Sequence, residues 1–191
     1  MKASVARFLL CRVLGWKMLL TEPPADPKCV VLGVPHTCIA DFVIFFLYTR
    51  AMGDKMNVFV KKEFFKWPVG PLLRSLGAIP VNRARGAGIL KEYMRIFQER
   101  DHIHLALSPE GTRKPVAHWK LGFHAIAASA GVPVYLGHFE WAKKEISYGP
   151  RFEVSDDAEA DLRKIQAYYK SFDPQGKYPG RIAYLPDLPQ D

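Results

Sequence analysis

Apolar residues occur in short runs separated by polar breaks, and the lengths of the runs distinguish strands from helices. Short runs rich in β-branched residues fall at 30–34, 57–60, 78–81, 103–107 and 132–138. Such runs, without polar alternation, predict strands buried on both faces. Longer stretches predict helices over 40–52, 87–100, 122–130 and 156–171, and a late hairpin is expected near Ile146 and 152–154. Strand and helix therefore alternate, which predicts an α/β fold with a central, largely parallel sheet flanked by helices. Pro23, Pro24 and Pro27 make 21–27 a hinge. The hinge separates an N-terminal segment, 1–20, from a single domain over 28–191. The alanines of 125–130 allow close helix–sheet packing, and the Pro- and Gly-rich tail from Asp173 is expected to wrap the surface.

No apolar run reaches the roughly 18 to 20 residues needed to span a bilayer. Residues 8–20 are apolar but carry Arg12 and Lys17. We read them as a membrane-associating helix lying in the interface, its cations snorkelling to headgroups. The alternative is a helix docked on the domain's own core. The formal charge of +8 changes the picture by favouring an anionic partner: a membrane face, a phosphorylated ligand or nucleic acid. Lys61, Lys62 and Lys66 interleave with Phe59, Phe64, Phe65 and Trp67. Membrane-interface anchors and single-strand nucleic-acid stackers share that pattern. The interface is the favoured reading, and no nucleic acid is expected. The three cysteines, Cys11, Cys29 and Cys38, lack metal-type spacing, and no secretory cleavage pattern is evident, so free thiols in a reducing cytosol are expected.

Candidate chemistry gathers just past the predicted strand ends. Pro35-His36-Thr37-Cys38-Ile39-Ala40-Asp41 follows the first strand. It places an imidazole at a strand's carboxyl end and a carboxylate at a helix start, where unpaired N–H groups favour Asp. A short loop can fold Asp41 onto one ring nitrogen of His36 and leave the other as a general base; the alternative is a surface His beside a helix-capping Asp. Gly77-Ala78-Ile79-Pro80-Val81-Asn82-Arg83 and Ser108-Pro109-Glu110-Gly111-Thr112-Arg113 end or follow two further strands. Ligands of open α/β sheets bind outside the carboxyl ends of the strands. His36, Asp41, Arg83, Glu110 and Arg113 thus meet on one face as a base, its orienter, a hydroxyl acceptor and guanidinium groups suited to phosphate.

In these blocks the chain resembles the glycerolipid acyltransferases of the lysophosphatidate acyltransferase type. Their His-x4-Asp block is matched by His36 and Asp41, their Gly-x-Ile-Pro-Val-x-Arg block by Gly77 to Arg83, and their Pro-Glu-Gly-Thr-Arg block by Pro109 to Arg113. The likeness continues through Trp119-Lys120-x-Gly122-Phe123 to Gly131-Val132-Pro133. It departs at Leu136, where a second Pro is expected, and at Pro35, where many members have Asn. The resemblance implies transfer of a fatty acyl group from acyl-CoA or acyl-ACP to a lysophospholipid-like hydroxyl, foremost 1-acylglycerol-3-phosphate to phosphatidate. It implies His36 and Asp41 as the catalytic pair and Arg83 as the phosphate ligand, with Arg85 assisting. Glu110, Gly111, Thr112, Arg113 and Lys120 complete the substrate site, and Gly111 is expected to serve a close approach or an unusual backbone angle. No metal and no cofactor are expected beyond the thioester co-substrate. The expected setting is peripheral, on the cytoplasmic face of a membrane. Two alternatives stay open: O-acylation of an amino-acid-based lysolipid, and a non-catalytic basic membrane-binding module.

Two competing constellations carry less weight. Cys38 lies two residues after His36, too close in a tight loop to meet the imidazole well, and reads as a small buried hydrophobe. His102 and His104 share a strand face, yet they stand at the strand's start, away from the carboxyl ends. A solvent-facing pair beside Asp101 is expected there rather than a metal site.

Overall fold

The computed structural model describes residues 1–20, 22–82, 88–114, 116 and 118–178. Its organising element is a six-stranded sheet. The strands are β2 (Lys28–Leu32), β3 (Met56–Lys61), β4 (Ala78–Val81), β5 (Ile103–Leu107), β6 (Val134–Tyr135) and β9 (Arg151–Phe152), in the order β4-β3-β5-β2-β6-β9. All neighbours run parallel except β6 and β9. β2 shows why its run lacks polar alternation, since Cys29 to Leu32 are buried on both faces. Val30 and Leu32 join Ile96, Phe123 and Ile165 of helices α4 (Gly88–Gln98), α5 (Gly122–Ala130) and α6 (Ala158–Lys170). Cys29 and Val31 join Ile44, Phe45 and Tyr48 of α2 (Ala40–Ala51) on the other side. The result is a sheet with helices on both faces, as the alternating pattern predicts.

Local chemistry explains the helix ends. Asp157 caps α6 by accepting from the N–H of Ala160 at 2.9 Å. Gly131, at φ +61°, closes α5 in the left-handed conformation. Helix α3 (Val69–Ser75) carries Gly70 and Pro71 and was not expected as a helix. An added Cβ on Gly70 would stand 2.4 Å from the Phe65 carbonyl oxygen, so only glycine allows that approach.

Three expectations are corrected. The expected N-terminal helix over 1–20 is shorter: it covers α1 (Ala3–Arg7), continued as a wider turn over Phe8–Val13. Gly15, at φ +72°, ends it, and β1 (Lys17–Met18) is extended. Ala6, Leu10 and Trp16 are buried in the α2-side core, whereas Val5, Phe8 and Val13 face outward. The run 132–138 is not one strand. The chain turns at Leu136–Gly137 from β6 into β7 (His138–Glu140), and a Cβ on Gly137 would lie 2.5 Å from the Leu32 oxygen. The hairpin is accordingly β7 with β8 (Glu145–Ser147), which joins β1 in a second, three-stranded sheet, while β9 pairs with β6. The described part of the tail, to Tyr178, does lie against the surface, with the Gln175 carbonyl accepting from the Trp141 N–H at 2.8 Å.

The third correction concerns His104, which is buried instead of solvent-facing. Its Nδ1 lies 2.7 Å from Asp54 Oδ2 and its Nε2 lies 2.8 Å from the Asp26 carbonyl oxygen. Both partners are acceptors, so both ring nitrogens carry protons and the ring is an imidazolium. Burial opposes the charge, but the Asp54 hydrogen bond and charge prevail and hold the His104 pKa above its usual value. Burial likewise works against ionised Asp54, which His104 and Tyr148 outweigh to hold its pKa low. Replacing Asp54 by Asn strands the imidazolium and is expected to cost about 3–5 kcal/mol in urea unfolding at pH 6. Because the His104 pKa is raised, the pair's contribution is complete below the unfolded value near 6.5 and is lost as pH rises through the folded one. Wild-type stability should therefore fall more than that of Asp54→Asn between pH 6 and pH 10.

Candidate active site

β2 and β5 are paired in register from Lys28 opposite Ile103 to Leu32 opposite Leu107. The segments that follow them therefore leave the sheet side by side at its carboxyl edge. The N–H of His36 donates to Glu110 Oε2 at 2.7 Å and ties one segment to the other.

Asp41 is the second residue of α2 and is 0% exposed. A buried carboxylate is tolerable only when it is fully engaged. Its Oδ2 accepts from the backbone N–H groups of Thr37 at 2.7 Å and Cys38 at 2.9 Å, and lies 3.2 Å from His36 Nδ1. Its Oδ1 accepts from the indole N–H of Trp141 at 2.8 Å and the Cys38 thiol at 3.2 Å. The spacing between His36 and Asp41 suits this turn, because Asp41 reaches back over one helical turn to the two N–H groups that precede the helix. Burial pushes its pKa up, but the hydrogen bonds from His36, Cys38 and Thr37 prevail and hold it below the ordinary carboxylate value. An ionised Asp41 can only accept, so His36 donates from Nδ1, and the neutral ring then has its lone pair on Nε2. Cys38 is engaged with Asp41 rather than His36, and burial followed by the Asp41 carboxylate raises its pKa, away from a thiolate.

Glu110 contrasts with Asp41. It is 2% exposed and its Oε2 receives the His36 N–H and, at 3.1 Å, the Ser108 hydroxyl. Burial outweighs these two bonds and pushes its pKa to about 7. Its observed part is to buttress the His36 loop. Gly111 has φ +64°, and a Cβ there would stand 2.8 Å from Lys120 Cδ and 3.0 Å from Lys120 Nζ. Glycine thus serves both the backbone angle and the close approach of Lys120, as expected. Thr112 Oγ1 accepts from the Lys114 N–H at 3.3 Å, and Arg113 is exposed. Arg83 and Arg85 lie outside the described residues. Backbone N–H groups of both loops are occupied: those of His36, Thr37 and Cys38 as above, and that of Gly111 by the Ser108 oxygen at 3.1 Å.

A cleft of about 310 Å³ opens beside His36. His36, Asp41 and Ser108 line its polar end, and Phe42, Phe45, Val58, Phe59, Leu107 and Phe139 line the rest. These apolar residues escape a motif-based reading because each looks like ordinary core. Trp141 escapes it too, since nothing local marks a hairpin residue whose indole reaches a carboxylate far away in sequence. The ligand atoms of Asp54, His102 and His104 lie within 4.8 Å of one another, the group among the described residues with such geometry. Both nitrogens of His104 are donating, so the group is built as an ion pair and not as a metal site.

A family model described as Acyltransferase matches residues 21–135, from before β2 to the end of β6, and includes both loops of the site. The chain belongs to the acyltransferase family. No curated protein matches it significantly. Among solved structures it is similar to the 1-acyl-sn-glycerophosphate (LPA) acyltransferase PlsC from Thermotoga maritima, with a TM-score of 0.57 and 14% identity. The match covers 92% of this chain and 81% of that one. At that identity the likeness concerns the fold. Trp141 of this acyltransferase lies beyond the segment that the family model matches.

The raised pKa of Glu110 makes a prediction of defined sign. The folded state holds this proton more tightly than the unfolded chain, so stability is complete below about pH 4.5 and falls as pH rises to about 7. At 1.36 kcal/mol per unit the loss is on the order of 3 kcal/mol. Glu110→Gln, neutral throughout, should flatten the thermal-midpoint profile between pH 5 and pH 8. An unchanged profile would show that Glu110 is ionised already at pH 5.

Proposed function

We propose that this acyltransferase moves a fatty acyl group from a thioester, acyl-CoA or acyl-ACP, to the hydroxyl of a lysophospholipid-like acceptor, with His36 as general base. The observation that supports it is His36, its Nδ1 3.2 Å from a buried carboxylate, at the polar end of an apolar cleft. The acceptor hydroxyl gives its proton to His36 Nε2 as its oxygen attacks the thioester carbonyl. The tetrahedral adduct collapses with cleavage of the carbon–sulfur bond, and the imidazolium returns the proton to the departing thiolate. Asp41 stabilises the imidazolium without being protonated. The aromatic cleft suits an acyl chain, which is recognised by area and not by polar contacts.

For the acceptor we favour 1-acylglycerol-3-phosphate, giving phosphatidate. The similar Thermotoga structure is of an enzyme described by that substrate. Arg83, with Arg85, is our choice of phosphate ligand, as bidentate donors placed after β4. Lys120, beside Gly111, and the exposed Arg113 are our choices for further anionic groups.

The reading also places the protein on an anionic, cytoplasmic membrane face. No helix of the described residues is long and apolar enough to cross a membrane. The segment after β3 presents Phe64, Trp67, Val69 and Leu72, with Trp67 86% exposed, among Lys61, Lys62 and Lys66. β3 ends at the sheet edge that carries the His36 loop, so lipid bound there stands near the cleft. The outer face of the N-terminal helix, with Val5 and Phe8, adds a second apolar contact.

His36→Ala should lower turnover ~10²–10⁴-fold while leaving the circular dichroism spectrum unchanged. The assay is mass spectrometry of products from a panel of lysolipids with both thioester donors. Near-normal turnover of this variant would remove His36 as the base, and exclusive acylation of an amino-acid lysolipid would replace the acceptor named here. Flotation with phosphatidylglycerol vesicles tests the membrane reading. Salt should weaken binding without abolishing it, because charge attraction is screened and apolar insertion is not. Trp67→Ala should reduce the salt-resistant fraction, and a wild-type protein that stays wholly unbound at low salt would end that reading.

A further inference from the structure

We propose that Trp141 is a positioning residue for the His36–Asp41 pair, held in place by the segment from Asp173 to Lys177. The inference rests on the acyl-transfer reading above. Asp41's other donors, His36, Thr37 and Cys38, all come from the loop that the carboxylate itself organises. That loop is tied to the segment after β5 by Glu110, but all three donors belong to one stretch of chain and precede the carboxylate in sequence. The Trp141 indole N–H, 2.8 Å from Oδ1, comes from the tip of the β7–β8 hairpin and supplies an external reference. With Oδ1 occupied from that side, Oδ2 is turned toward His36 Nδ1.

The indole is itself fixed from several directions. Its ring meets Trp16 edge-on, with centroids 5.0 Å apart and planes at 87°. Lys177 Nζ sits 5.2 Å from its ring centroid. The Trp141 backbone N–H donates to the Gln175 carbonyl at 2.8 Å, and the buried Glu140 carboxylate accepts from the backbone N–H groups of Ala142 and Gln175, each at 3.0 Å. The next residue, Gly176, lies against the catalytic loop so closely that a Cβ would stand 2.4 Å from Thr37 Cγ2 and 3.2 Å from Pro35 Cγ. One short segment therefore touches the loop that carries His36 and clamps the hairpin that carries Trp141. Trp141 does not line the cleft, so removing its N–H alters the pair and not the substrate's surroundings.

The test compares Trp141→Phe, which deletes the donor, with Trp16→Phe, which disturbs the same ring packing and leaves the Asp41 bond. A second form of the donor deletion replaces Trp141 by β-(3-benzothienyl)alanine, a sulfur isostere that keeps the shape of the ring and protects the test against misfolding. A bond to a charged acceptor is among the stronger hydrogen bonds, so kcat should fall about tenfold or more in both Trp141 variants. KM for donor and acceptor should stay within about twofold, and Trp16→Phe should retain kcat. Nitrogen NMR of His36, which needs no substrate, should show the pure Nδ1–H form in the wild type and a tautomer mixture in the Trp141 variants. Unchanged kcat and an unchanged His36 spectrum would overturn the proposal, as would an equal loss in Trp16→Phe. If His36→Ala itself keeps its turnover, the acyl-transfer reading fails instead, and the NMR comparison still decides whether Trp141 orients the ring.

Discussion

The in-register pairing of β2 with β5 is the constraint on which the rest depends. It aligns Leu32 with Leu107, so two loops without a sequence relationship leave the sheet at the same height. Parallel strands cannot shift by one residue without exchanging their two faces, and here the faces differ. Val30 and Leu32 belong to the core under α4, α5 and α6, and Cys29 and Val31 to the core under α2. The two hydrophobic cores thereby hold the register, and the register brings Glu110 to the His36 N–H. Precision at the site comes from packing some distance beneath it.

The same edge holds two buried carboxylates whose pKa values are pushed in opposite directions. Asp41 is surrounded by N–H and S–H donors and stays ionised, whereas Glu110 has the His36 N–H and the Ser108 hydroxyl and titrates at about 7. Burial penalises both, and the hydrogen-bond donors decide between them. Environments that separate two acids in this way allot them different work. The ionised one stabilises positive charge on His36, and the more readily protonated one ties the loops together without adding a second full negative charge next to the first.

Much of this was legible in the sequence, where the cause is local. The uninterrupted run of β2, the helix start at Asp41 and the left-handed glycine at position 111 each follow from neighbouring residue types. So does the pairing of His36 with Asp41, which needs only a short loop. What was not legible depends on distant partners. His104 reads as a surface residue until Asp54, Asp26 and Tyr148 are seen around it. The run 132–138 reads as one strand because nothing in it reveals that Leu32 and Ser147 crowd Gly137. Residues 17 and 18 look helical beside Phe8 and Leu10, but the edge of β8 offers them a ladder. The aromatic lining of the cleft is hidden for another reason: its composition is that of any core.

The N-terminal segment is fastened at several points. The Lys17 N–H donates to the Lys144 oxygen, the Leu19 N–H to the Ile146 oxygen, and Lys144 Nζ to the Leu14 oxygen. Trp16 then leans on Trp141, which holds Asp41. From Trp16 to His36 the path is one ring contact and two hydrogen bonds. A mechanical load on residues 1–13, whether from a lipid surface or a fused tag, is thus carried into β8 by the bonds at Leu14, Lys17 and Leu19 rather than through the ring contact. The start of the chain is a strap across the β7–β8 hairpin, and trimming it removes a brace of that hairpin as well as a surface.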